Sequence, residues 1–298
     1  MHNILLLVVC FLAGGLLRGF GKLPQTTPSV LNGFIIHVSL PAITLLYIHD
    51  LSISADVLYM AAMPWLHFGI GAVFFLLLGR FLKLPRATVG ALVLTGSMGN
   101  TSFLGLPMIE TFYGKEGLAS GIIVDQLGSF MVLSTLGITV AGIYSDGKPS
   151  AGEIFKRIVF FPPFIALVIA VLLMPVEYPA WFSAVLRRLG DTLAPLALFS
   201  VGYQLNPVHF RGNVLSLSLG LGFKLLLAPL LLYLLYIHFL GLGGLPIKVT
   251  LFEAAMPPMI TAGIIATEHG INPPLANLMV AVGVILSFLT LPLWWMVL

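Results

Sequence analysis

The stretch Thr95–Met108, TGSMGNTSFLGLPM, interrupts a long apolar run that extends from about residue 87 to residue 113. A helix that crosses a bilayer is normally an unbroken apolar rod, because lipid offers no partner to exposed backbone groups. This stretch instead holds three glycines, one proline and the polar triplet Asn100, Thr101 and Ser102. Glycine and proline weaken or end helices. The pattern therefore predicts a helix that is broken at membrane depth.

The composition of the whole chain is that of a membrane protein. Of its 298 residues, 59% are hydrophobic and 8% are charged, and the mean hydropathy is +1.07. Soluble domains contain about 25% charged residues. Apolar runs of about 20 residues recur along the chain, which predicts an all-α polytopic membrane protein. The 14 Lys and Arg residues are dispersed in short loops, so we expect membrane lipid and no nucleic acid as a partner.

Ten transmembrane spans are predicted from these apolar runs, bounded by glycines, prolines and charged residues. The spans cover about residues 3–20, 29–49, 57–81, 87–113, 117–144, 155–174, 181–204, 212–238, 248–268 and 274–297. Nine Lys and Arg residues fall in the odd-numbered connections and four in the even-numbered ones. The positive-inside rule then places both termini on the non-cytoplasmic side. We expect an integral, multi-pass membrane protein.

The two halves of the chain share a pattern that predicts an inverted repeat. Spans 4 and 9 both contain a helix break, and aligning Gly114 with Gly270 superimposes the two breaks. This alignment sets Asn100–Ser102 against Met256–Pro258. Each half holds five spans, an odd number, so the second half enters the membrane from the opposite side. The predicted repeats are residues 1–147, with spans 1–5, and the remainder of the chain, 148–298, with spans 6–10.

Paired interrupted helices in two inverted halves mark the substrate site of many secondary transporters. Pro257 and Pro258 cannot donate to the carbonyls of Glu253 and Ala254, which a cation, a water or a substrate donor could then occupy. The half-helix N-termini after each break, together with the amide of Asn100, suit an anionic group. We therefore expect the two breaks to face each other across a polar, hydrated pocket.

Four motifs carry a resemblance to a known family: GNTSFLGLPMIETFYG from Gly99, LNGFIIHVSLPAITL from Leu31, DTLAPLALFSVG from Asp191 and KLLLAPLLL from Lys224. They resemble the signature of the auxin efflux carrier family of membrane transporters, over essentially the whole chain. The resemblance implies ten spans in two inverted five-helix repeats, similar to the bile-acid symporter and sodium/proton antiporter folds. It also implies that broken spans 4 and 9 cross near the midplane.

The resemblance also implies a class of substrate. Members of the family carry small organic anions, with malonate and malate among the bacterial examples and auxin among the plant ones. The plant carriers have a long loop between spans 5 and 6, whereas the corresponding connection here covers only about residues 144–153. The chain therefore resembles a compact, bacterial-type member, which implies an integral protein of a bacterial inner (plasma) membrane. By matching position, Asn100, Pro107 and the pair Pro257–Pro258 carry over as crossover residues.

Two groups of candidate site residues follow from the breaks and from the charges inside the spans. The predicted substrate-binding residues are Gly99, Asn100, Thr101, Ser102, Pro107, Pro257, Pro258, Met259 and Asn32. The predicted ion-coupling residues are Asp125, Glu253 and Lys224, because intramembrane ionisable groups are functional candidates by default. Structural alternatives stay open: Asp125 could pair with a polar neighbour such as Gln126, Glu253 could cap a helix, and Lys224 could snorkel to the interface.

These observations favour a secondary-active transporter of a small organic anion, a mono- or dicarboxylate such as malonate or malate, working by alternating access. Na⁺ or H⁺ is the expected coupling ion, and no other cofactor is expected. A sodium/proton antiporter and a facilitative anion carrier of the same fold are the alternatives. We expect no enzyme and no metal site, because the sequence holds no serine-nucleophile motif, no P-loop and no spaced histidine ligands. A homodimer is compatible with the sequence but is not predicted by it.

Overall fold

A computed structural model describes residues 2–49, 56–145, 152, 155, 156, 159–204 and 213–298. The main helices in these ranges are α1 (His2–Gly19), α2 (Thr27–His49), α3 (Asp56–Phe81), α4 (Arg86–Gly96), α5 (Leu106–Tyr113), α6 (Lys115–Tyr144), α7 (Pro162–Leu173), α8 (Ala180–Gly190), α9 (Leu193–Gln204), α10 (Val214–Phe239), α11 (Leu245–Ala254), α12 (Ile260–Glu268) and α13 (Pro273–Val297). No β-strand occurs among the described residues.

Five of these helices, α2, α3, α6, α10 and α13, are long and apolar enough to cross a membrane. Shorter apolar helices cover Val8–Gly19 and Pro162–Leu173. The all-α class and the polytopic membrane character predicted from the sequence are thus confirmed. The arrangement of ten spans as an inverted repeat stays a prediction, and its predicted boundary at residues 147 and 148 lies outside the described residues.

Wide π-helical turns interrupt several of the long helices. They cover Ile35–Ser39 in α2, Val124–Ser129 and Leu133–Gly137 in α6, and Phe223–Leu227 and Leu234–Phe239 in α10. A further π-helical turn, Thr101–Gly105, leads into α5. Such turns insert one extra residue into the hydrogen-bond ladder and are frequent at functional sites.

The chain divides into two compact units, and each unit takes residues from both predicted halves. Unit 1 consists of Met1–Ser54, Ser102–Ile122 and Lys156–Asn206. Within it α1 crosses α9 closely, because Gly14 lies against the Phe199 carbonyl and Gly202 lies against the Phe11 carbonyl. Small residues that let two backbones approach are typical of helix pairs in membranes.

Unit 2 consists of Ala55–Thr101, Ile123–Phe155 and Pro207–Leu298. Its apolar core joins α3, α4, α6, α10, α12 and α13. The ring of Phe223 on α10 stacks on Phe74 at 4.5 Å and meets the edge of Phe75 at 4.9 Å between centroids. Gly96 packs directly against the Phe75 ring. This core holds the end of α4 beside α3 and α10.

Two local features differ from the sequence-based expectations. The predicted seventh span, residues 181–204, is not one helix: a turn at Asp191 and Thr192 separates α8 from α9. Thr192 turns its hydroxyl to the Leu189 carbonyl, and its Oγ1 also lies 2.7 Å from the Ser39 Oγ. In addition, the first break covers only Ser97–Asn100 and does not extend to Pro107, since α4 ends at Gly96 and helical structure resumes at Thr101. Pro107 lies in the first turn of α5, where its missing N–H is tolerated.

Candidate functional site

The two helix breaks of unit 2 pair with each other through their backbones. The Asn100 N–H donates to the Pro257 carbonyl at 2.8 Å, and the Met259 N–H donates to the Met98 carbonyl at 3.0 Å. These bonds flank an isolated antiparallel bridge between Gly99 and Pro258. The breaks therefore contact each other directly, and the expectation that they face each other across a hydrated pocket is wrong. Each break thereby provides hydrogen-bond partners for backbone groups of the other break, which lipid could not provide.

Close approach at this bridge requires a residue without a side chain. A Cβ added to Gly99 would lie 3.3 Å from the Glu253 carbonyl oxygen and 3.5 Å from the Lys224 Nζ. On the other side of the bridge, a Cβ at Gly283 of α13 would lie 2.5 Å from the Pro258 Cδ. Both glycines therefore matter because they leave space for the neighbouring segment, and neither has a positive φ angle.

The two carbonyls that the prolines deprive of helical donors are occupied by groups of the protein itself. The Lys224 Nζ donates to the Ala254 carbonyl at 2.9 Å, and the Met256 N–H donates to the Glu253 carbonyl at 3.1 Å. An ammonium at the C-terminal end of a half-helix also meets the negative end of its dipole. Lys224 is fully buried, so the alternative in which it snorkels to the membrane interface is wrong.

Asp125 connects the first break to α6. The Thr101 hydroxyl donates to the Asp125 Oδ1 at 2.6 Å, and both side chains are buried. Asp125, Lys224 and Thr101 each lie in a π-helical turn: Val124–Ser129, Phe223–Leu227 and Thr101–Gly105 respectively. Three candidate residues from three segments therefore coincide with local distortions of the kind found at functional sites.

A small cavity lies beside the paired breaks, between them and α3. It has room for about one water-sized group. The residues that line it are Met63, Pro64, His67, Ser97, Met98, Gly99, Thr101, Ser129, Val132 and Glu253. All of them belong to unit 2, so the cavity is a feature of that unit alone.

Four buried polar side chains around the breaks have atoms without a hydrogen-bond partner in the described part of the chain. These atoms are both carboxyl oxygens of Glu253, the Nε2 of His67, the Oγ of Ser97 and the Nδ2 of Asn100. Each of the four residues is at most 2% exposed. Buried polar groups are normally paired, and an unmade bond costs about 1–3 kcal/mol. Unpaired groups of this kind, gathered at one place, indicate a binding site.

The structure gathers most, but not all, of the predicted site residues into unit 2. Those in unit 2 are Gly99, Asn100, Thr101, Asp125, Lys224, Glu253, Pro257, Pro258 and Met259. Asn32, Ser102 and Pro107 belong to unit 1. There the Oδ1 of Asn32 accepts a hydrogen bond from the Ser200 hydroxyl at 2.7 Å. His67 and Ser97 were not among the predicted site residues.

The reason that His67 was missed is visible in the sequence. His67 lacks the spacing to other histidines that is typical of metal ligands, so the sequence does not mark it. Its position in the cavity depends on how α3 packs. Ser97 lies inside the stretch that predicts the break. The site residues were nevertheless inferred from its neighbours Asn100, Thr101 and Ser102, which carry amide and hydroxyl groups. Among the described residues, no group of three or more His, Cys, Asp or Glu side chains could hold a metal ion.

Comparison with known proteins places the chain in one family. The family model described as "Membrane transport protein" matches residues 1–295. The chain is 31% identical over 300 residues to an uncharacterized transporter of Methanothermobacter thermautotrophicus, covering 100% of this chain and 98% of that protein. It is 26% identical over 303 residues to one of Methanocaldococcus jannaschii, covering 99% and 97%. With YfdV, an uncharacterized transporter of Escherichia coli, it shares 23% over 239 residues, covering 76% and 74%. The chain therefore belongs to this membrane transport protein family, the auxin efflux carrier family indicated by its motifs.

Proposed function

We propose that this chain is a secondary-active transporter of a small organic anion, a mono- or dicarboxylate such as malonate or malate. The observation that carries the proposal is the backbone pairing of the two breaks at Gly99 and Pro258, with an unpaired Asn100 amide beside it. Interrupted helices that pair inside the protein are where transporters of this kind hold their substrates.

Asn100 supplies the donor chemistry that a carboxylate needs. Its backbone N–H is used in the bond to Pro257, whereas its side-chain Nδ2 is buried and has no hydrogen-bond partner among the residues that the structure describes. A charge-assisted bond from an amide to a carboxylate is stronger than one between neutral groups. The amino group of Lys224, close to Gly99, adds a further donor, and when protonated a positive charge, near the same segment. This combination favours an anionic cargo over a cationic one.

Asp125, Glu253 and Lys224 are the proposed ion-coupling groups. All three are buried in unit 2 and lie at or next to the breaks. Burying an ionisable group in a membrane protein is costly and marks ion and substrate pathways. A coupling ion, H⁺ or Na⁺, would bind among these groups in one conformation and leave in another, so that its gradient drives the anion.

The ten-span inverted repeat is part of the same proposal. Gly114 after α5 has a φ angle of 74°, and Gly270 after α12 has a φ angle of 67°. These are the two glycines that the internal alignment superimposes. Both are in a conformation that residues other than glycine rarely adopt, which supports a common origin for the two broken helices. Alternating access would follow from rocking of one helical bundle against the other.

A panel of carboxylates tested by thermal unfolding of the purified protein would examine this function. A ligand that binds the folded state stabilises it by about 2.7 kcal/mol when its concentration is 100 times Kd. We expect a mono- or dicarboxylate to raise the melting temperature in wild type, with a dependence on pH or on sodium. Stabilisation by sodium alone across pH, with no response to any carboxylate, would instead support a sodium/proton antiporter. A carboxylate response that ignores pH and sodium would support facilitative transport.

A further inference from the structure

Three polar side chains from different segments of unit 2, each with atoms that lack a hydrogen-bond partner among the described residues, meet at the same cavity. His67 comes from the middle of α3, Ser97 follows the end of α4, and Glu253 lies in the last turn of α11. All three line the cavity, and none is more than 2% exposed. Neither carboxyl oxygen of Glu253 has a hydrogen bond in the described part of the chain.

The size and the chemistry of this cavity restrict its ligand. Room for about one water-sized group is too small for a dicarboxylate. The three side chains instead complement each other around a proton: a carboxylic acid donates, an imidazole Nε2 accepts, and a hydroxyl does both. A single water held between them would satisfy their hydrogen bonds, since a buried water makes about three.

We propose that His67, Ser97 and Glu253 form a proton-binding site that is separate from the organic-anion site. In the conformation described, Glu253 carries the proton as a carboxylic acid, and the imidazole of His67 is neutral. When the site opens, the Glu253 O–H bond breaks, the proton passes to water by way of His67, and a carboxylate is left behind. The assignment of this proton as the coupling ion rests on the proposed function, whereas the binding of the proton does not.

The donor groups of this cavity favour a proton over a metal cation. The other ionisable groups that act on this trio are Asp125 from α6 and Lys224 from α10. Asp125 already accepts from the Thr101 hydroxyl, and Lys224 donates to the Ala254 carbonyl. The trio offers three side-chain oxygens and one imidazole nitrogen, with room for about one water-sized group. Such a donor set suits a proton better than a metal cation, which needs more oxygen ligands around it.

Infrared difference spectroscopy of the whole purified protein, titrated with acid and base and without any organic anion, tests this site. We expect a carbonyl band from a buried carboxylic acid that disappears as the pH rises. The band should be lost in Glu253→Gln and kept in Glu268→Gln, in which the substituted acid is exposed on α12. Asp125→Asn identifies any contribution from the other buried acid. Persistence of the whole band in Glu253→Gln would overturn the proposal.

The role of His67 has its own readout, the pH at the midpoint of the carboxyl band. His67→Gln should shift this midpoint, whereas His238→Gln, at an exposed histidine of α10, should leave it in place. Ser97→Ala should also shift the midpoint. Because it is a smaller change, it can still be measured if the larger substitutions impair folding. An unshifted midpoint in both His67→Gln and Ser97→Ala would contradict a shared site. Loss of the carboxyl band when NaCl replaces KCl at constant pH would contradict the proton site and would support a sodium site instead.

Transport and proton binding can fail independently in these experiments. If the infrared results hold but no carboxylate is transported, the proton site stands and the cargo is wrong. If carboxylate uptake into liposomes responds to an imposed pH gradient in wild type, Glu253→Gln should lose that response. Uptake that keeps its full response to the gradient in Glu253→Gln would overturn the coupling role.

Discussion

The two breaks of unit 2 pair with each other but are built from opposite chemistry. The first, Ser97–Asn100, contains a glycine and polar side chains, and it presents donors such as the Asn100 amide. The second, Ala255–Met259, contains two prolines and leaves acceptors, the carbonyls of Glu253 and Ala254. The acceptors are already occupied by Met256 and Lys224, whereas the Asn100 amide is not. The freed acceptors of the second break are thus used within the protein, whereas the side-chain amide of Asn100 has no partner in the described part of the chain and can meet a ligand.

The largest effect on stability should come from removing the ammonium that holds the second break. Lys224→Ala leaves the Ala254 carbonyl without its donor and opens a cavity along a fully buried side chain. Truncations of large buried side chains cost about 2–5 kcal/mol. We expect the free energy of unfolding in detergent micelles to fall within that range.

The control for this substitution is Lys248→Ala, at an exposed position near the start of α11. Surface substitutions usually stay within about 0.5 kcal/mol of wild type. If Lys224→Ala unfolds no more easily than Lys248→Ala, the second break does not depend on Lys224 and the contrast between the breaks is lost.

A smaller effect is expected from filling the space behind Pro258. The Cβ of Gly283→Ala would meet the Pro258 Cδ at 2.5 Å and the Leu221 Cδ2 at 3.1 Å. Overpacking of this kind costs about 1–3 kcal/mol. Gly222→Ala in α10 is the matched control, because nothing lies within 4 Å of its new Cβ. Equal melting temperatures for the two variants would show that the second break shifts freely.

At the first break, Thr101→Val keeps the shape of the side chain but removes the hydroxyl that donates to Asp125 at 2.6 Å. Hydrogen bonds to charged groups contribute about 1.5–3 kcal/mol, and Asp125 has further interactions, so we expect a loss near the lower end. The exposed Thr139, whose hydroxyl bonds only its own helix at Thr135, provides the control Thr139→Val. A Thr101→Val variant as stable as this control would mean that the first break is not tied to α6.

The smallest effect on stability is expected for Asn100→Ala. The backbone bond to Pro257 survives the substitution, and the amide Nδ2 has no partner to lose. We expect a smaller change in the free energy of unfolding than for Thr101→Val, because removing an unpaired buried amide offsets part of the cost of the space left behind, while stabilisation by carboxylates disappears. A large loss of stability, with carboxylate stabilisation intact, would assign Asn100 a structural role instead.

The breaks themselves were predictable, because their signals are local. Glycines, prolines and polar residues within apolar runs located both interruptions to within a few residues, and the freed carbonyls of Glu253 and Ala254 followed from the prolines. The first break nevertheless falls at Ser97–Asn100, ahead of Pro107, because proline is tolerated in the first turn of α5. The turn at Asp191 and Thr192 was missed for a similar reason, since neither residue excludes a helix.

Other parts of the site depend on packing that the sequence does not display. The π-helical turns around Asp125 and Lys224 have no residue signature comparable to proline. The bond from Lys224 to the Ala254 carbonyl joins residues 30 positions apart, and the sequence left the role of this lysine open. The place of His67 in the cavity depends on how α3 meets the break. These features depend on contacts between residues far apart in the sequence, whereas the helix breaks depend on local residue type.

Uptake of radiolabelled malonate and malate into liposomes that contain the purified protein tests the central claim most directly. Asn100→Asp replaces the free amide donor by a carboxyl group of the same shape, and Asn277→Asp makes the same change at an exposed position of α13. The account predicts saturable uptake of at least one carboxylate by wild type and Asn277→Asp, and none by Asn100→Asp. Undiminished uptake by Asn100→Asp, or uptake by wild type no faster than by protein-free liposomes for every carboxylate in the panel, would contradict it.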